Sequence, residues 1–494
     1  MRCSGILMHI TSLPGPYGVG TMGKQAFAFI DFLAAAGQKC WQILPLNPTG
    51  YGDSPYQSCS TFAGNHYLID LQELVEEGLL DPEELEHITW CRREDKVDYG
   101  LLYDHRLKVL RSAFRRHGET EDFARFRAQN AHWLPQLVAY MGLKTKFGGN
   151  PWYHWPEEFK VYTPAVIGRA WDYLGYENIQ FYCFVQYLFF KQWNRLHDYA
   201  REKGIRIIGD VPIYVPLDSV EVWTEPKLFQ LDETLTPRAV AGCPPDGFTA
   251  DGQLWGNPLY DWDAMEADGF RWWIRRLEEA GRLYDVVRLD HFRGLESYWS
   301  VSYGDATARN GKWVKGPGMT FIRAVQQALP DLAMIAEDLG YLTQEVIALR
   351  DASGYPGMKV LEFAFDTKEP ANYLPYTYTR NSVVYTGTHD NLTMRQWFDT
   401  ADAENLAFAR AYMNLHDPAD YVRDTIRTAF ATVSDTCIIP MQDILDLGAE
   451  ARMNFPGTLS DSNWTWRVKD GIINQALAEE LLALTELYGR KCGK

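Results

Sequence analysis

The sequence predicts an α/β protein, a (β/α)8 TIM barrel with mostly helical insertions after strands 2 and 3. Two observations predict this fold. Eight short runs rich in apolar and β-branched residues are bounded by turn residues, and segments with helical periodicity separate most of them. Eight parallel strands that alternate with helices are the number that closes such a barrel.

The first half of the barrel is predicted from residues 5–10, 40–46, 205–215 and 286–290. A segment with apolar residues at helical spacing follows the first run and ends at Gly37, a residue type that is common just after helices. Further helical segments lead into the third and fourth runs. This order of strand, helix and strand is typical of parallel strands joined by crossover helices.

The second half of the barrel is predicted from residues 333–338, 358–365, 382–390 and 435–443. An open, doubly wound sheet is the main alternative for such a chain. That fold usually has a glycine-rich phosphate turn after its first strand, and the sequence has no GxGxxG or GxxxxGK[ST] pattern there. The closed barrel is therefore the better interpretation.

The chain of 494 residues is interpreted as a single domain, residues 1–494, with two insertion subdomains. The first insertion, at about residues 70–180, is polar and mostly helical in pattern. The second insertion, at about residues 216–262, is rich in Pro, Gly and Trp. Both follow barrel strands, where the loops of this fold carry functional residues.

Composition and charge exclude several kinds of partner. The formal net charge of −17 argues against nucleic acid and against an anionic membrane surface, because binding phosphates needs clustered Lys and Arg. The eight Cys residues form no CxxC pair and are expected to be reduced thiols. No stretch resembles a signal peptide or a membrane span. We expect a cytoplasmic protein that is a monomer or a homodimer.

Charged side chains cluster where the predicted strands end. Asp210 lies late in the third run, Asp290 ends the fourth, and Glu337 lies at the end of the fifth. His389 and Asp390 end the seventh run. Because active sites of this fold lie at the carboxyl ends of the strands, all five side chains are expected in one cleft.

The stretch VVRLDHFRG places Arg288, His291 and Arg293 around Asp290. A salt-bridged turn is one interpretation of this cluster, and a catalytic site is the other. Arg288 lies two positions before Asp290 and therefore on the same strand face, where its guanidinium is expected to lower the pKa of the carboxyl group. The other acids at strand ends favour the catalytic interpretation.

Two carboxyl groups across a scissile acetal are the minimum for glycoside chemistry. One donates a proton to the leaving oxygen, while the other attacks the anomeric carbon or activates a water. Carboxylates with His also bind Mg²⁺, Mn²⁺ or zinc, but the sequence has no HxH, HExxH or DxDxDG spacing. We therefore expect neither a metal nor another cofactor.

Two aromatic loops fit a sugar-binding cleft. Residues 49–67 hold Tyr51 and Tyr56 among glycines, and residues 244–262 mix rings with amides and acids. The ring, amide and acid side chains of the second loop include Asp246, Phe248, Gln253, Trp255, Asn257 and Tyr260. Rings suit the apolar faces of sugars, while amides and acids suit their hydroxyls. Ordinary loop composition explains either loop alone about equally well.

With these residues, the sequence resembles the 4-α-glucanotransferases of glycoside hydrolase family 77, the amylomaltases or disproportionating enzymes. The matching stretches are, in order, SGILMHITSLPGPYGVG, GYGDSPYQS, GDVPIYV, PPDGFTADGQLWGNPLYDW, RLDHFRG, AEDLG, GTHDN and RMNFPGT. They extend from residue 4 to residue 458, so the resemblance covers nearly the whole chain.

The resemblance implies Asp290 as the nucleophile that forms a covalent glycosyl-enzyme, Glu337 as the acid/base and Asp390 as the stabiliser of the transition state. It implies no metal, and substrates that are α-1,4-glucans such as maltooligosaccharides and starch. The residues that the resemblance implies for substrate binding are Tyr51, Tyr56, Asp210, Asp246, Phe248, Gln253, Trp255, Arg288, His291, His389 and Asn454.

The expected function is transfer of α-1,4-glucan segments from a donor maltooligosaccharide or starch chain to the 4-hydroxyl of an acceptor glucan or glucose. An α-amylase-type hydrolase with the same three acids is the alternative, because acids at strand ends do not distinguish the two. An aromatic lid at residues 244–262 that excludes water favours transfer. A binding scaffold without catalysis would be expected to lack one of the acids.

Overall fold

The computed structural model describes residues 2–245, 250–340, 342–368 and 373–491. Its strands form a barrel and a smaller sheet. They are β1 (Cys3–Leu7), β2 (Cys40–Gln42), β3 (Arg206–Val211), β4 (Ala239–Cys243), β5 (Gln253–Pro258), β6 (Val286–Leu289), β7 (Ser297–Ser302), β8 (Lys312–Lys315), β9 (Met334–Ala336), β10 (Gly357–Val360), β11 (Ser382–Tyr385) and β12 (Thr436–Pro440). In the described residues, eight of them close a parallel barrel in the order β1-β12-β11-β10-β9-β6-β3-β2. Each overlaps one predicted run, so the (β/α)8 fold is confirmed.

The barrel strands end earlier than the predicted runs, and after β6, β9, β11 and β12 the residues beyond the strand end include charged or polar ones. β6 ends at Leu289, and Asp290 still donates its backbone N–H to Val211 O at 3.0 Å. His291 then turns the chain with a left-handed backbone, φ 49° and ψ 48°. The polar ends of the runs therefore lie on loops at the mouth of the barrel.

Helices surround the barrel and build the first insertion. The α-helices within the described ranges are α1 (Lys24–Ala35), α2 (Leu71–Glu76), α3 (Glu83–Glu86), α4 (Tyr99–His117), α5 (Glu121–Gln129), α6 (Leu134–Lys146), α7 (Glu157–Lys160), α8 (Pro164–Leu174), α9 (Tyr176–Glu202), α10 (Val220–Thr224), α11 (Trp262–Ala267), α12 (Arg271–Leu283), α13 (Gly318–Ala328), α14 (Gln344–Ser353), α15 (Met394–Thr400), α16 (Ala403–Met413), α17 (Tyr421–Ala431), α18 (Met441–Ile444) and α19 (Gln475–Leu487). Helices α2 to α8 form the first insertion. None of the helices described is long and apolar enough to cross a membrane.

Helix α9 joins the first insertion to the barrel. It packs against α4, α5, α6 and α8 on one side and against α1 and β3 on the other. Its buried residues include large apolar side chains along most of its length, such as Phe184, Leu188 and Trp193. This burial fixes the insertion beside the loop that follows β2.

The second insertion differs from the mostly helical prediction. It contributes β4 and β5 to an antiparallel sheet of the order β5-β4-β7-β8, with the short helices α10 and α11 beside them. Ala241 of β4 lies opposite Ser300 of β7, so the sheet pairs segments that flank β6 in the sequence. Local patterns do not show a pairing between such distant segments.

Most of the aromatic excess packs the core. Thirteen of the 17 Trp side chains are buried. The remaining four are Trp171, Trp255, Trp299 and Trp313. Trp255 is thus one of the few indoles that a ligand can reach.

Candidate active site

The carboxyl ends of four barrel strands bring the predicted acids to one mouth. Asp210 lies in β3, Asp290 directly follows β6, and Glu337 directly follows β9. Glu337 donates its backbone N–H to Leu289 O at 3.1 Å, so the ladder between β6 and β9 continues to this residue. Asp390 lies in the loop after β11. The chain therefore places acids from distant segments side by side.

Arg288 lies at the centre of the cluster. Its Nη1 donates to Asp210 Oδ2 at 2.6 Å and to Asp290 Oδ1 at 3.0 Å, and Tyr56 OH donates to the same Asp210 oxygen at 2.9 Å. The Asp210 side chain is 0% exposed, so it acts through Tyr56 and Arg288 rather than facing a ligand. Asp290 keeps 26% of its side chain exposed. The turn is salt-bridged, and its outer carboxylate remains open to a ligand.

Two backbone N–H groups hold the Glu337 carboxylate. Oε2 accepts from His291 N at 2.6 Å, and Oε1 accepts from Leu339 N at 2.9 Å. His291 presents its N–H through its left-handed backbone, with φ 49°. That conformation costs about 1–2 kcal/mol for a residue with a Cβ atom. The main chain, rather than neighbouring side chains, therefore fixes the direction of Glu337.

Asp390 has the most exposed side chain of this group, at 45%. Asn454 Nδ2 donates to its Oδ1 at 2.6 Å, and His389 Nε2 lies 3.4 Å from its Oδ2. Arg452 Nη2 donates to its backbone oxygen at 3.1 Å. Asn454 thus joins the cluster from far along the chain.

Three stacked or tilted rings lie beside Asp390. Tyr56 stacks on His389 with ring centroids 5.1 Å apart and an interplanar angle of 14°. Trp464 lies 5.8 Å from Tyr56 and 5.9 Å from His389. Trp464, which is buried and has a φ of 64°, was not predicted from the sequence. No short sequence pattern predicts that a left-handed backbone directs a tryptophan side chain toward the site.

The loop after β11 is held by further residues that the sequence did not predict. Asn391 Oδ1 accepts from the N–H and the hydroxyl of Thr388 at 2.9 Å and 2.8 Å. Asp443 accepts from the Thr386 hydroxyl at 2.5 Å and from Met394 N at 2.8 Å, and burial raises its pKa to about 6. The signal that could have found Asn391 is the stretch TGTHDNLT, residues 386–393, whose short polar side chains are types that bond nearby backbone, whereas Asp443 lies outside that stretch.

Strand β5 brings Trp255 to the cluster. Its ring meets the His291 ring edge to face, with centroids 4.9 Å apart and an angle of 89°. Its Nε1 donates to Gln253 Oε1 at 3.2 Å. Gln57 Nε2 donates to Asn257 Oδ1 at 3.1 Å, which joins β5 to the loop after β2. The two aromatic loops predicted from the sequence are therefore in contact.

Three predicted binding residues are not placed in the cluster. Asp246 and Phe248 lie outside the described residues. Tyr51 is 93% exposed, on the loop after β2. Its ring is therefore available to an external ligand but is not enclosed with the acids.

The net pKa direction of Asp290 is set by burial rather than by Arg288. Burial raises this pKa well above its usual range. Arg288 acts to lower it, but the carboxyl groups of Asp210, Glu337 and Asp390 act to raise it. Arg288 thus acts on the pKa in the predicted direction, but burial and the neighbouring carboxyl groups outweigh its effect.

The other titratable groups complete this picture. Burial also raises the pKa of Glu337, against the opposing effect of Arg288 and of two backbone N–H groups. Burial lowers the pKa of His389, and it lowers the pKa of His291 to about 4, so both imidazoles are neutral near pH 7. Burial therefore favours the protonated form of both Asp290 and Glu337.

No group of three or more His, Cys, Asp or Glu side chains within the described ranges could hold a metal ion. The expectation that the protein needs neither a metal nor another cofactor stays a prediction.

Comparison with known proteins gives one consistent result. The model of glycoside hydrolase family 77, described as 4-alpha-glucanotransferase, matches residues 8–474. The chain is 47% identical over 487 residues to the 4-alpha-glucanotransferase of Clostridium butyricum, covering 98% of this chain and 100% of that protein. The amylomaltase from Streptococcus agalactiae, solved in complex with acarbose, is 41% identical with a TM-score of 0.95, covering 99% of this chain and 100% of that chain. The chain belongs to the 4-alpha-glucanotransferases of glycoside hydrolase family 77.

Proposed function

We propose that the protein transfers α-1,4-glucan segments by a retaining double displacement, with Asp290 as the nucleophile and Glu337 as the acid/base. The donor is a maltooligosaccharide or a starch chain, and the acceptor is the 4-hydroxyl of a glucan or of glucose. The observation that carries the proposal is the position of these two residues on neighbouring strands. Leu289 of β6 pairs with Ala336 of β9, and Asp290 and Glu337 are the next residues after this pair.

The register of β6 and β9 supports retention. Leu289 lies opposite Ala336, so Asp290 and Glu337 follow at the same level on neighbouring strands. Neighbouring strands are about 4.8 Å apart. Retaining glycosidases hold their carboxyl groups at about 5–5.5 Å, whereas inverting ones need about 6.5–9.5 Å to fit a water. Adjacent strands therefore favour direct attack by the carboxylate.

The reaction has two balanced steps. First, an Asp290 oxygen attacks the anomeric carbon, the bond to the leaving 4-oxygen breaks, and Glu337 gives its proton to that oxygen. Second, the 4-hydroxyl of the acceptor attacks the same carbon, the bond to Asp290 breaks, and Glu337 takes the hydroxyl proton. The raised pKa of Glu337 suits the first step, and the Arg288 ion pair opposes the burial that raises the pKa of Asp290, which favours the ionised form that attacks.

The groups around these acids bind the sugar in this proposal. Asp390 faces the reacting ring and stabilises its transition state, while Asn454 and His389 fix its two oxygens. Tyr56 offers a ring face above Asp210. The Streptococcus agalactiae amylomaltase forms a complex with acarbose, which supports binding of α-glucans by this chain.

Transfer requires that an incoming sugar reach the intermediate before water does. We assign this task to the loop of residues 244–262, in which Trp255 lies against His291. Gln253 accepts from the Trp255 indole and offers its amide to sugar hydroxyls. Asp246 and Phe248 belong to the same proposed lid. The exposed ring of Tyr51 is proposed as a separate glucan contact.

Incubation with maltotriose and EDTA tests the proposed function. We expect glucose and a ladder of longer maltooligosaccharides at a constant total of reducing ends, because transfer forms one glycosidic bond for each bond broken. Chromatography by chain length and a reducing-end assay measure both quantities. Rising reducing ends without longer products would instead support the second candidate, a hydrolase that uses the same three acids.

Trp255→Ala is expected to raise the ratio of hydrolysis to transfer several-fold, because water gains access to the intermediate. The ratio follows from reducing ends formed per molecule of longer product. Leu254→Ala is the matched control, since this neighbouring side chain is 38% exposed and points to the other face of β5. An unchanged ratio in Trp255→Ala, or an equal rise in the control, would contradict the lid.

A further inference from the structure

A small cavity that is lined mostly by buried residues adjoins His389. Its volume is about 20 Å³, and its wall comes from the segments that follow β1, β2, β11 and β12. Its polar side chains include His9, Thr388, His389, Gln442, Asp443 and Arg452. One water molecule needs about 10–15 Å³ and two or more polar partners. The cavity therefore has the size and the polarity to hold a single water.

His9 carries its proton on Nε2. Its Nδ1 accepts the backbone N–H of Leu44 at 3.2 Å, and a ring nitrogen that accepts a hydrogen bond has no proton of its own. Burial lowers the pKa of His9 to about 3, so the ring is neutral and has one proton. The ring lines the cavity and is 6% exposed. His9 is therefore a hydrogen-bond donor through Nε2.

His389 has the complementary need. Its Nε2 lies 3.4 Å from Asp390 Oδ2, so a proton on Nε2 faces a carboxylate. The neutral ring then has a lone pair on Nδ1, and this nitrogen requires a donor. His389 lines the same cavity as His9 and is 7% exposed.

We propose that His9 is a positioning residue for His389. A water in the cavity accepts from His9 Nε2 and donates to His389 Nδ1, which fixes His389 in the tautomer that directs its Nε2–H to Asp390 and the cleft. The hydrogen bonds then run from the backbone of Leu44 to a catalytic carboxylate. The expected effect on turnover rests on the proposed function, in which His389 takes part in the reaction. The expected tautomer of His389 does not depend on that function.

Several charged or titratable groups lie around His389. They are Asp390, Asp210, Arg288, Tyr56, Asp443 and Arg452. Burial has the largest effect and lowers the pKa of His389; Asp390 and Asp210 raise it, and Arg288 lowers it. A donor at Nδ1 stabilises only the neutral ring. Losing that donor therefore raises the pKa of His389 and removes the preference for a proton on Nε2. A loss of packing alone does not change which ring nitrogen carries the proton.

The test is ¹⁵N NMR of the full chain labelled at histidine, with the His389 resonances assigned by their loss in His389→Gln. We expect the wild type to show a protonated Nε2 and an unprotonated Nδ1. In His9→Phe, the two tautomers mix, and the midpoint of His389 protonation rises by about one pH unit. The kcat for maltotriose falls roughly tenfold. His9→Gln, whose amide provides both an acceptor for Leu44 and a donor, restores both properties.

His66→Phe is the matched control. Burial lowers the pKa of His66 to about 3 as well, but this residue precedes α2. Its replacement should leave the His389 resonances unchanged. If His9→Phe does not fold, His9→Asn takes its place, because it keeps an acceptor for Leu44 and is too short to reach the water. A His389 ring that keeps one tautomer and its midpoint in a folded His9 variant overturns the proposal. A changed tautomer with unchanged kcat overturns only the role of His389 in the reaction.

Discussion

Asp290→Asn is expected to lower the rate of maltotriose disproportionation by at least about a thousandfold and to leave glucan binding nearly unchanged. Asparagine still accepts the hydrogen bond that Arg288 gives to Asp290 Oδ1 at 3.0 Å, so the local geometry persists. Its neutral amide is a poor nucleophile toward the anomeric carbon. Glucose release gives kcat, and calorimetry with maltoheptaose gives Kd on the same preparation.

Asp210→Asn is the matched control for this prediction. Both carboxylates bind the same Nη1 of Arg288, but the Asp210 side chain is 0% exposed and Asp290 is 26% exposed. The control removes one negative charge beside the same guanidinium but keeps the accessible carboxylate of Asp290. We expect a clearly smaller loss of kcat. Equal losses of kcat in the two variants would rule out Asp290 as the nucleophile, and so would an activity of Asp290→Asn above about a thousandth of the wild-type activity.

Glu337→Gln is expected to slow turnover of maltotriose by about a hundredfold to ten-thousandfold, the range of general acid catalysis. A donor whose leaving group needs no proton avoids this loss. α-Maltotriosyl fluoride is therefore expected to glycosylate Asp290 in the variant, and the slow second step lets the intermediate accumulate. Mass spectrometry of a peptide digest detects the added sugar. A digest that carries the sugar on another residue would reassign the nucleophile.

The same variant tests the pH dependence of kcat/KM. The raised pKa of Glu337 keeps the proton donor protonated to a higher pH, and kcat/KM falls as the pH rises through this pKa. The raised pKa of Asp290 means that kcat/KM also falls as the pH decreases through it. Because Asp290 and Glu337 interact, the acid and the alkaline declines of kcat/KM belong to the two groups together. With the fluoride donor, Glu337→Gln should lose the alkaline decline and keep the acid one, and a persistent alkaline decline would contradict Glu337 as the donor.

The barrel and the meeting of its acids follow from local sequence. The fourth, fifth, seventh and eighth strand runs end in charged or polar residues, and parallel strands bring the same ends to one mouth, so Asp290 and Glu337 are found from their positions alone. Arg288 follows from the same alternation of strand faces. The roles of the site residues, the domain division, the cytoplasmic location and the monomeric or dimeric state stay predictions.

Other features depend on contacts between distant segments. The pairing of β4 with β7 spans β6, and no local pattern encodes it. Trp464 reaches the Tyr56 ring through a left-handed backbone that its own residue type disfavours. The net pKa direction of Asp290 depends on how deeply the cluster is buried, and burial is a property of the assembled barrel.

A proton donor held by main-chain groups tolerates mutation. Every residue except proline supplies a backbone N–H, so positions 291 and 339 can change side chains and still bind the Glu337 carboxylate. The φ of 49° at His291 restricts that freedom mainly to Gly, Asn, Asp and His. The His291 side chain meanwhile meets the Trp255 ring of the proposed lid. Evolution can therefore alter substrate preference through these side chains while the acid chemistry is inherited unchanged in the backbone.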